Sequence, residues 1–285
     1  LSGAHATNEP QGFSKRMIIG RVVVDGSSNR RTAGLINDLR SVIATFMGRP
    51  GLKHYETGCL IDRICQRSEF GRWLTLDGGA LRLRVYAGIG TAHLEVHPEM
   101  AYRLNGVLAS LYPMAIPAEF RTRPPSRSKK FPLFEYPLPF AVLRVLDAGS
   151  VSQGKDGHSW SFSYGYGDEG KAGSAIRSEA DQVLEALGGA PEKYGVRFDY
   201  DPRAVIFRVL AEGSIPDRVS TQFYASSERL ARDAWDLLDV GEEDTFLEPS
   251  AGTGVLAAGL PRGRTTCVEI SGLRCEVLRA RGFEA

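Results

Sequence analysis

The feature that most constrains this chain is a glycine-rich turn between two short apolar segments within the last fifty residues. Asp244–Glu248 has the pattern of a short buried strand, and Gly252 and Gly254 follow it in a tight turn. Residues 255–260 are apolar and predict the start of a helix, and Thr265–Glu269 is a second strand that ends in an acid. Strand, glycine turn, helix and strand in this order predict a β-α-β unit with parallel strands.

The two glycines and the acid together predict a ligand site. Gly252 and Gly254 allow backbone angles that other residues avoid, and they lack the β-carbons that would keep a ligand away from the backbone. A helix beginning above the turn would offer free N–H groups. Glu269, at the tip of the second strand, is placed to accept hydrogen bonds from both hydroxyl groups of a ribose. We therefore expect an adenosine-like ligand.

Two adenosine-containing cofactors, a nicotinamide dinucleotide and S-adenosylmethionine, fit this pattern, and one acidic residue distinguishes between them. Gly252, Gly254 and Ala257 also satisfy the dinucleotide fingerprint, in which the third position is glycine or alanine. Glu248, just before the turn, would repel a pyrophosphate bound there, whereas it would attract the ammonium group of a methionine moiety. The sequence thus favours S-adenosylmethionine, and a nicotinamide-dependent oxidoreductase is the less favoured alternative.

The turn and the segment before it resemble a known enzyme family. Glu248-Pro-Ser-Ala-Gly-Thr-Gly254 closely resembles the cofactor motif of the adenine-N6 DNA methyltransferases. Gln222–Ala231 (QFYASSERLA) resembles the aromatic segment that precedes this motif in members with the cofactor region first. The resemblance covers about residues 219–285. It implies the first part of a Rossmann-like α/β methyltransferase domain, S-adenosylmethionine as cofactor and DNA as partner.

The same resemblance assigns the cofactor-binding residues. In that family the aromatic segment packs over the methionine end of the cofactor, and the residues that match Glu248 and Gly252 lie at its amino-acid end. Glu269 corresponds to the acid that holds the ribose. Ala225-Ser226-Ser227 replaces the common Pro-Thr-Pro string, which bears on the polar contact expected at Ser226. The expected cofactor-binding set is Phe223, Tyr224, Ser226, Glu248, Pro249, Ser250, Ala251, Gly252, Gly254, Glu269 and Ile270.

The chemistry of that family requires a further motif, Asn/Asp-Pro-Pro-Tyr/Phe, which this sequence lacks. Its acid or amide orients the target amine, and its aromatic residue stacks on a base turned out of the duplex. The nearest strings, Arg123-Pro-Pro-Ser126 and Tyr136-Pro-Leu-Pro-Phe140, lack the acid or amide and precede the cofactor motif. No catalytic residue is therefore assigned. Because two strands alone would leave an open sheet edge, we expect the natural protein to be longer or a protein partner to complete the fold.

The amino-terminal part predicts a separate α+β domain. Apolar residues at helical spacing predict helices at residues 34–47 and from Pro98 to about Leu111, with Val107 and Leu111 in the buried stripe of the second. Residues 81–97 alternate between apolar and polar around a glycine turn and predict a hairpin. Residues 82–117 are similar, less sharply, to an uncharacterised domain that precedes such methyltransferases in phage and plasmid proteins.

Three further helices are predicted at residues 174–187, 202–212 and 227–238. The last is expected to be capped by Ser226 or Ser227 and to bury Leu230, Ala234, Leu237 and Leu238. The segment 213–220 has the composition of a connector. The predicted division is a flexible tail and lead-in at residues 1–30, an α+β domain of unknown role at 31–218 and a partial S-adenosylmethionine-binding domain at 219–285.

Two segments carry weaker signals for nucleic acid. Residues 121–130 hold five positive charges and no acid, so they form either a phosphate-contacting segment or a solvated basic loop. The candidate DNA-contacting residues are Arg121, Arg123, Arg127, Lys129 and Lys130. Trp160, Phe162, Tyr164 and Tyr166 alternate along a strand, where they would stack bases or, more commonly, form the inner face of a sheet.

Composition and charge exclude several classes. A net charge of +1 excludes a uniformly basic nucleic-acid binder. The sequence contains no run of about eighteen apolar residues, so no membrane-spanning helix is predicted. The four cysteines lack metal-site spacing, so we expect no metal and free thiols in a reducing cytoplasm. The expected location is the cytoplasm of a host cell that carries a phage or plasmid, or a virion.

Two functional hypotheses result. The first is a DNA adenine methyltransferase from a mobile element, with a role in DNA modification or antirestriction. The second is a non-catalytic DNA-binding, phage structural or antirestriction protein that retains half of a methyltransferase domain.

Overall fold

The chain is a mixed α/β protein with two compact units. The computed structural model describes residues 8, 12–14, 16–124, 133, 137–154, 157–162, 171–216 and 223–285. The first unit comprises residues 1–140 and 211–214, and the second comprises residues 141–210 and 215–285. Within the described ranges, no helix combines the length and apolar character that a membrane span requires. The sequence-based division at residue 218 stays a prediction.

The first unit is built around a four-stranded antiparallel sheet in the order β1-β6-β5-β4. The predicted hairpin is confirmed as β5 and β6, because Leu81 pairs with Val96 and Tyr86 with Thr91. The elements are β1 (Arg16–Ile19), β2 (Val23–Val24), β3 (Ser27–Ser28), α1 (Arg30–Phe46), α2 (Glu56–Gln66), β4 (Leu74–Leu76), β5 (Leu81–Tyr86), β6 (Thr91–Val96) and α3 (Pro98–Leu111).

A charged network is buried between α1 and the turn that follows β4. The Arg40 guanidinium donates to both carboxylate oxygens of Asp77, at 2.7 and 2.8 Å, and its third nitrogen donates to the Thr57 hydroxyl at 3.0 Å. Thr57 donates in turn to the Asn37 side chain at 2.8 Å. Asp77 adopts a φ of 51°, a backbone conformation in which aspartate and asparagine are enriched among non-glycine residues. The network therefore fixes both a helix and a strained turn.

The second unit contains a four-stranded antiparallel sheet in the order β7-β8-β10-β9 and a parallel pair, β11 and β12. Trp160, Phe198 and Leu184 are fully buried in this unit. Trp160 thus belongs to the core, whereas Tyr164 and Tyr166 of the predicted aromatic row lie outside the described residues. The elements are α4 (Phe140–Ala148), β7 (Ser150–Gly154), β8 (Gly157–Ser161), α5 (Lys171–Ala186), β9 (Ala190–Glu192), β10 (Gly195–Phe198), α6 (Arg203–Glu212), α7 (Glu228–Leu237), β11 (Phe246–Glu248), β12 (Thr265–Cys267) and α8 (Gly272–Ala280).

Several predicted apolar faces are not buried. The bounds predicted for α3 are confirmed, but Val107 and Leu111 are exposed, Leu111 by 65%. In α7, Ser227, one of the two predicted caps, caps the helix, yet Leu230, Leu237 and Leu238 are exposed, Leu237 by 87%. A helix packed on one side buries only a narrow stripe, and the predictions assigned a wider one.

The helix predicted over residues 255–260 is wrong. This stretch contains one short 3-10 turn, Ala257–Gly259. The Leu256 carbonyl accepts a hydrogen bond from the Trp235 indole at 2.7 Å, so it is diverted from a helical partner. Pro261 follows, and the residue before a proline avoids helical angles. The strand Phe246–Glu248 is also less buried than predicted, since Leu247 is 66% exposed.

Candidate cofactor-binding site

The glycine turn follows β11, which pairs in parallel with β12. Glu284 forms a further parallel bridge to Thr266 of β12, so β12 has neighbours on both sides. Gly252 and Gly254 have φ values of 55° and 90°, in the left-handed region that favours glycine. A β-carbon on Gly254 would lie 2.8 Å from Leu278, so both conformation and packing require glycine there.

A small apolar cluster supports the turn and the parallel pair from one side. Burial raises the pKa of the Cys267 thiol, and the nearby Glu248 carboxylate raises it further. The buried members of the cluster are Ala251, Ala257, Cys267, Leu278 and Phe283. The opposite side of the pair is open within the described residues, where Leu247, Val268 and Ile270 are exposed.

A cavity of about 600 Å³ lies over the turn. The structure brings together all of the predicted cofactor-binding residues at this cavity except Glu248 and Gly254. Glu248 instead accepts a hydrogen bond from the Ser250 N–H at 3.1 Å, and Gly254 is buried beneath the turn. The lining residues are Phe223, Tyr224, Ala225, Ser226, Pro249, Ser250, Ala251, Gly252, Thr253, Val255, Leu256, Val268, Glu269, Ile270 and Arg274.

The Glu269 carboxylate is the most constrained group of the cavity. One oxygen accepts from the Gly252 N–H at 3.0 Å, and the other accepts from the Ser271 N–H at 2.7 Å. The Arg274 guanidinium lies 3.6 Å from the second oxygen, and both side chains are buried. A carboxylate has about four acceptor positions, so each oxygen keeps capacity for a hydroxyl donor.

Arg274 is a residue of this cavity that the sequence analysis missed. Its guanidinium stacks over the Phe223 ring at 3.7 Å and pairs with Glu269. Phe223 also covers the turn, because a β-carbon on Gly252 would lie 2.6 Å from its ring. Arg274 lies in the first turn of α8, after the capping residue Ser271. The sequence feature that could have identified Arg274 is a charged side chain five positions after Glu269.

Arg281 is the second missed residue. It pairs with Asp199 at 2.9 Å and donates to the Thr253 carbonyl in the turn. Its guanidinium also lies over the Tyr200 ring. Burial raises the pKa of the Tyr200 hydroxyl well above its ordinary value, although the Arg281 charge opposes the shift. Arg281 therefore ties the glycine turn to the segment that follows β10, a link between residues far apart in sequence.

The backbone N–H groups of the turn are less available than the sequence predicts. The Gly252 N–H donates to Glu269, the Gly254 N–H donates to the Ala251 carbonyl at 2.7 Å, and the Ala251 N–H donates to the Val268 carbonyl at 3.0 Å. Because the α-helix predicted after the turn is absent, side chains carry most of the recognition that this cavity offers.

The predicted DNA-contacting residues fall in two groups. Arg121 ends a 3-10 turn, and Arg123 is exposed and pairs with Glu99 at 3.5 Å. Arg127, Lys129 and Lys130 lie outside the described residues. Within the described parts of the chain, no three His, Cys, Asp or Glu side chains are grouped so that they could hold a metal ion.

Comparison with known proteins bears on the amino-terminal part alone. Residues 1–114 match a protein family described as "Domain of unknown function (DUF4942)", which covers less than half of the chain. No curated protein and no solved structure matches the chain.

Proposed function

We propose that the second unit carries the S-adenosylmethionine site of a DNA methyltransferase that acts on adenine N6, with a Rossmann-like arrangement around β11 and β12. The observation that supports the proposal most is the position of Glu269. Its carboxylate faces a cavity of about 600 Å³ over a glycine turn, at the end of the strand that neighbours the turn. That is the position from which an acid reaches a ribose in nucleoside-binding α/β folds.

The residues present fit the cofactor. Gly252 allows the Phe223 ring to pack directly on the turn, because a β-carbon there would lie 2.6 Å from the ring, and the ring thus forms one wall of the cavity. The free acceptor positions of Glu269 suit the two ribose hydroxyls. Ile270, 86% exposed at the cavity, offers an apolar surface for an adenine ring. Phe223 and Tyr224 border the same cavity and supply aromatic surface for the methionine end.

Each residue has a defined task in the proposal. Bound S-adenosylmethionine supplies an electrophilic methyl group, and Glu269 orients the ribose that carries it. Arg274 holds Glu269 in place, since the pair is buried and its charges are 3.6 Å apart. Arg281 fixes the Thr253 carbonyl and with it the turn. No residue of this sequence is assigned to the target amine.

The test is cofactor binding by isothermal titration calorimetry with the full chain. Wild-type protein is expected to bind S-adenosylmethionine, and Glu269→Gln is expected to weaken binding about 10- to 150-fold, because hydrogen bonds to a charged group contribute about 1.5–3 kcal/mol. The matched control is Glu243→Gln, a charge change on an exposed turn of the same unit, which should leave the affinity unchanged.

Two further arms distinguish the alternatives. Arg274→Gln keeps the carboxylate and should weaken binding less than Glu269→Gln. NADH is the comparison ligand, and NADH binding without S-adenosylmethionine binding would identify an oxidoreductase instead. If neither cofactor binds, the chain is better described as a non-catalytic protein that retains half of a methyltransferase domain.

Activity is measured separately with tritiated cofactor. If the chain has a complete site for the target amine, label should pass from the cofactor to DNA. The label should then be recovered as N6-methyladenine after the DNA is digested to nucleosides. Cofactor binding without label transfer would restrict the proposal to the cofactor site.

A further inference from the structure

The outer face of the four-stranded sheet in the first unit carries a row of arginines and aromatic rings. Leu81, Leu83 and Val85 of β5 are buried on one face of the sheet. Side chains alternate along a strand, so Arg82, Arg84 and Tyr86 lie on the opposite face. In the neighbouring β6, His93 pairs with Arg84 and Glu95 pairs with Arg82. Trp73 directly precedes β4 and lies beside this row.

Cations and rings lie in contact along the row, which we name the arginine–aromatic face (Trp73, Arg82, Arg84, Tyr86 and His93). The Arg82 and Arg84 guanidinium groups lie 5.3 and 6.0 Å from the centre of the Trp73 ring. Arg84 also lies 5.0 Å from the centre of the Tyr86 ring. Tyr86 and His93 contact each other with ring centres 4.8 Å apart. All five side chains are half-buried, so each keeps some exposed surface.

The charge of this face is unbalanced. Its acid, Glu95, is 4% exposed and pairs with Arg16 at 3.3 Å and Arg82 at 3.0 Å, so its charge is already compensated. Among the described residues, no carboxylate pairs with Arg84, and its Nε donates no hydrogen bond. Arg84 is therefore a half-buried cation held between two rings, and because its Nε is buried, an external anion would meet its Nη groups.

We propose that the arginine–aromatic face binds single-stranded nucleic acid. Unpaired bases stack on aromatic side chains such as Trp73 and Tyr86, and arginine between them neutralises the phosphates. Duplex DNA buries the faces of its bases in its own stack, so it would use the charge but not the rings. An acidic peptide would likewise use the charge alone. The proposal lies in the first unit and does not depend on the cofactor site.

The test is fluorescence anisotropy with the full chain and a labelled oligothymidylate of roughly 20 nucleotides, at about 0.1 M salt. Trp73→Leu is expected to weaken binding about 5- to 150-fold, because stacking contributes about 1–3 kcal/mol per base. Trp73→Phe keeps a ring and should retain most of the affinity. Arg84→Gln should lower the slope of log affinity against log salt by about 0.7. Arg31→Gln, an exposed arginine of α1, is the matched control and should change neither quantity.

Tryptophan fluorescence gives a second readout that a loss of folding cannot imitate. Binding should quench the wild-type emission, and Trp73→Phe should bind with much less quenching, because the other two tryptophans, Trp160 and Trp235, belong to the second unit. An oligouridylate arm distinguishes DNA from RNA, and preferential binding of either single strand supports the proposal.

Three results would overturn the proposal. Equal affinity for a duplex of the same length would show that base stacking is not used. Binding of polyglutamate with the same sensitivity to Arg84→Gln would identify an acidic protein as the partner. Absence of oligonucleotide binding, or binding unaffected by Trp73→Leu, would remove the face as a nucleic-acid site.

Discussion

Asp77→Asn removes one charge from the core of the first unit and keeps the shape of the side chain. The Asp77 and Arg40 side chains are 2% and 6% exposed and are joined by two short hydrogen bonds. Burial alone would lower the pKa of Arg40, but the Asp77 charge and hydrogen bond outweigh it, and the pKa is raised. The substitution therefore leaves a buried guanidinium that stays charged and has lost its counterion.

The magnitude follows from this geometry. Two unit charges about 4 Å apart attract each other by about 4 kcal/mol at an effective dielectric constant of about 20. Removing one partner of a buried pair costs about 3–5 kcal/mol. Opening of the first unit should therefore become more frequent by about two to three and a half powers of ten. Asparagine tolerates the positive φ at this position, so backbone strain adds little.

Hydrogen–deuterium exchange with mass spectrometry measures this change locally. Amides of α1 should exchange faster in Asp77→Asn by about two to three and a half powers of ten. Peptides of α8, in the other unit, report whether the effect is confined to the first unit. Asp25→Asn is the matched control, because Asp25 has the same φ of 51° but is exposed. In the double variant that also carries Arg40→Met, the loss of stability should be smaller than the sum of the losses in the two single variants. An Asp77→Asn protein whose α1 exchange matches that of Asp25→Asn would refute the reasoning.

The remaining predictions concern the second unit and the thiols. Gly254→Ala should destabilise the second unit by about 1–3 kcal/mol, because of its φ of 90° and the contact with Leu278, and urea unfolding measures it. Tyr200 keeps its proton in the folded state above its ordinary pKa, so the unfolded state loses protons first and stability falls as pH rises above about 10. Absorbance of the phenolate should show a late-titrating component that Tyr200→Phe removes, and its absence from the wild-type protein would contradict this. Iodoacetamide should modify the exposed Cys59 first and the buried Cys267 last, as peptide mapping shows, and the reverse order would be inconsistent with the fold.

Local patterns in the sequence predict much of the secondary structure. The hairpin of β5 and β6, the bounds of α3 and the Ser227 cap follow from alternation, proline placement and capping residues, which act over a few positions. Burial is predicted less well, because it depends on what packs against each element. Leu111 and Leu237 have helical spacing, yet both are exposed.

The candidate site shows the same division between local and distant causes. Gly252 and Glu269 of the motif line one cavity, and turn and strand are close in sequence. The helix predicted after the turn is absent, and the Trp235 indole, twenty-one residues away, occupies the Leu256 carbonyl. Arg281 reaches the turn together with Asp199, eighty-two residues distant, and no local pattern indicates that pairing.

A difference in charge compensation underlies the two proposals, which assign a different ligand to each unit. In both units a buried glutamate is held by arginine: Glu95 by Arg16 and Arg82, and Glu269 by Arg274. What differs is the group that keeps unused bonding capacity. On the sheet of the first unit that group is the Arg84 guanidinium between two rings, which favours an anion with flat bases. At the glycine turn it is the Glu269 carboxylate, which favours a ligand that brings hydroxyl donors. This reasoning requires that each ligand is specific to its own site. In a competition version of the binding assays above, S-adenosylmethionine should therefore fail to displace the oligonucleotide.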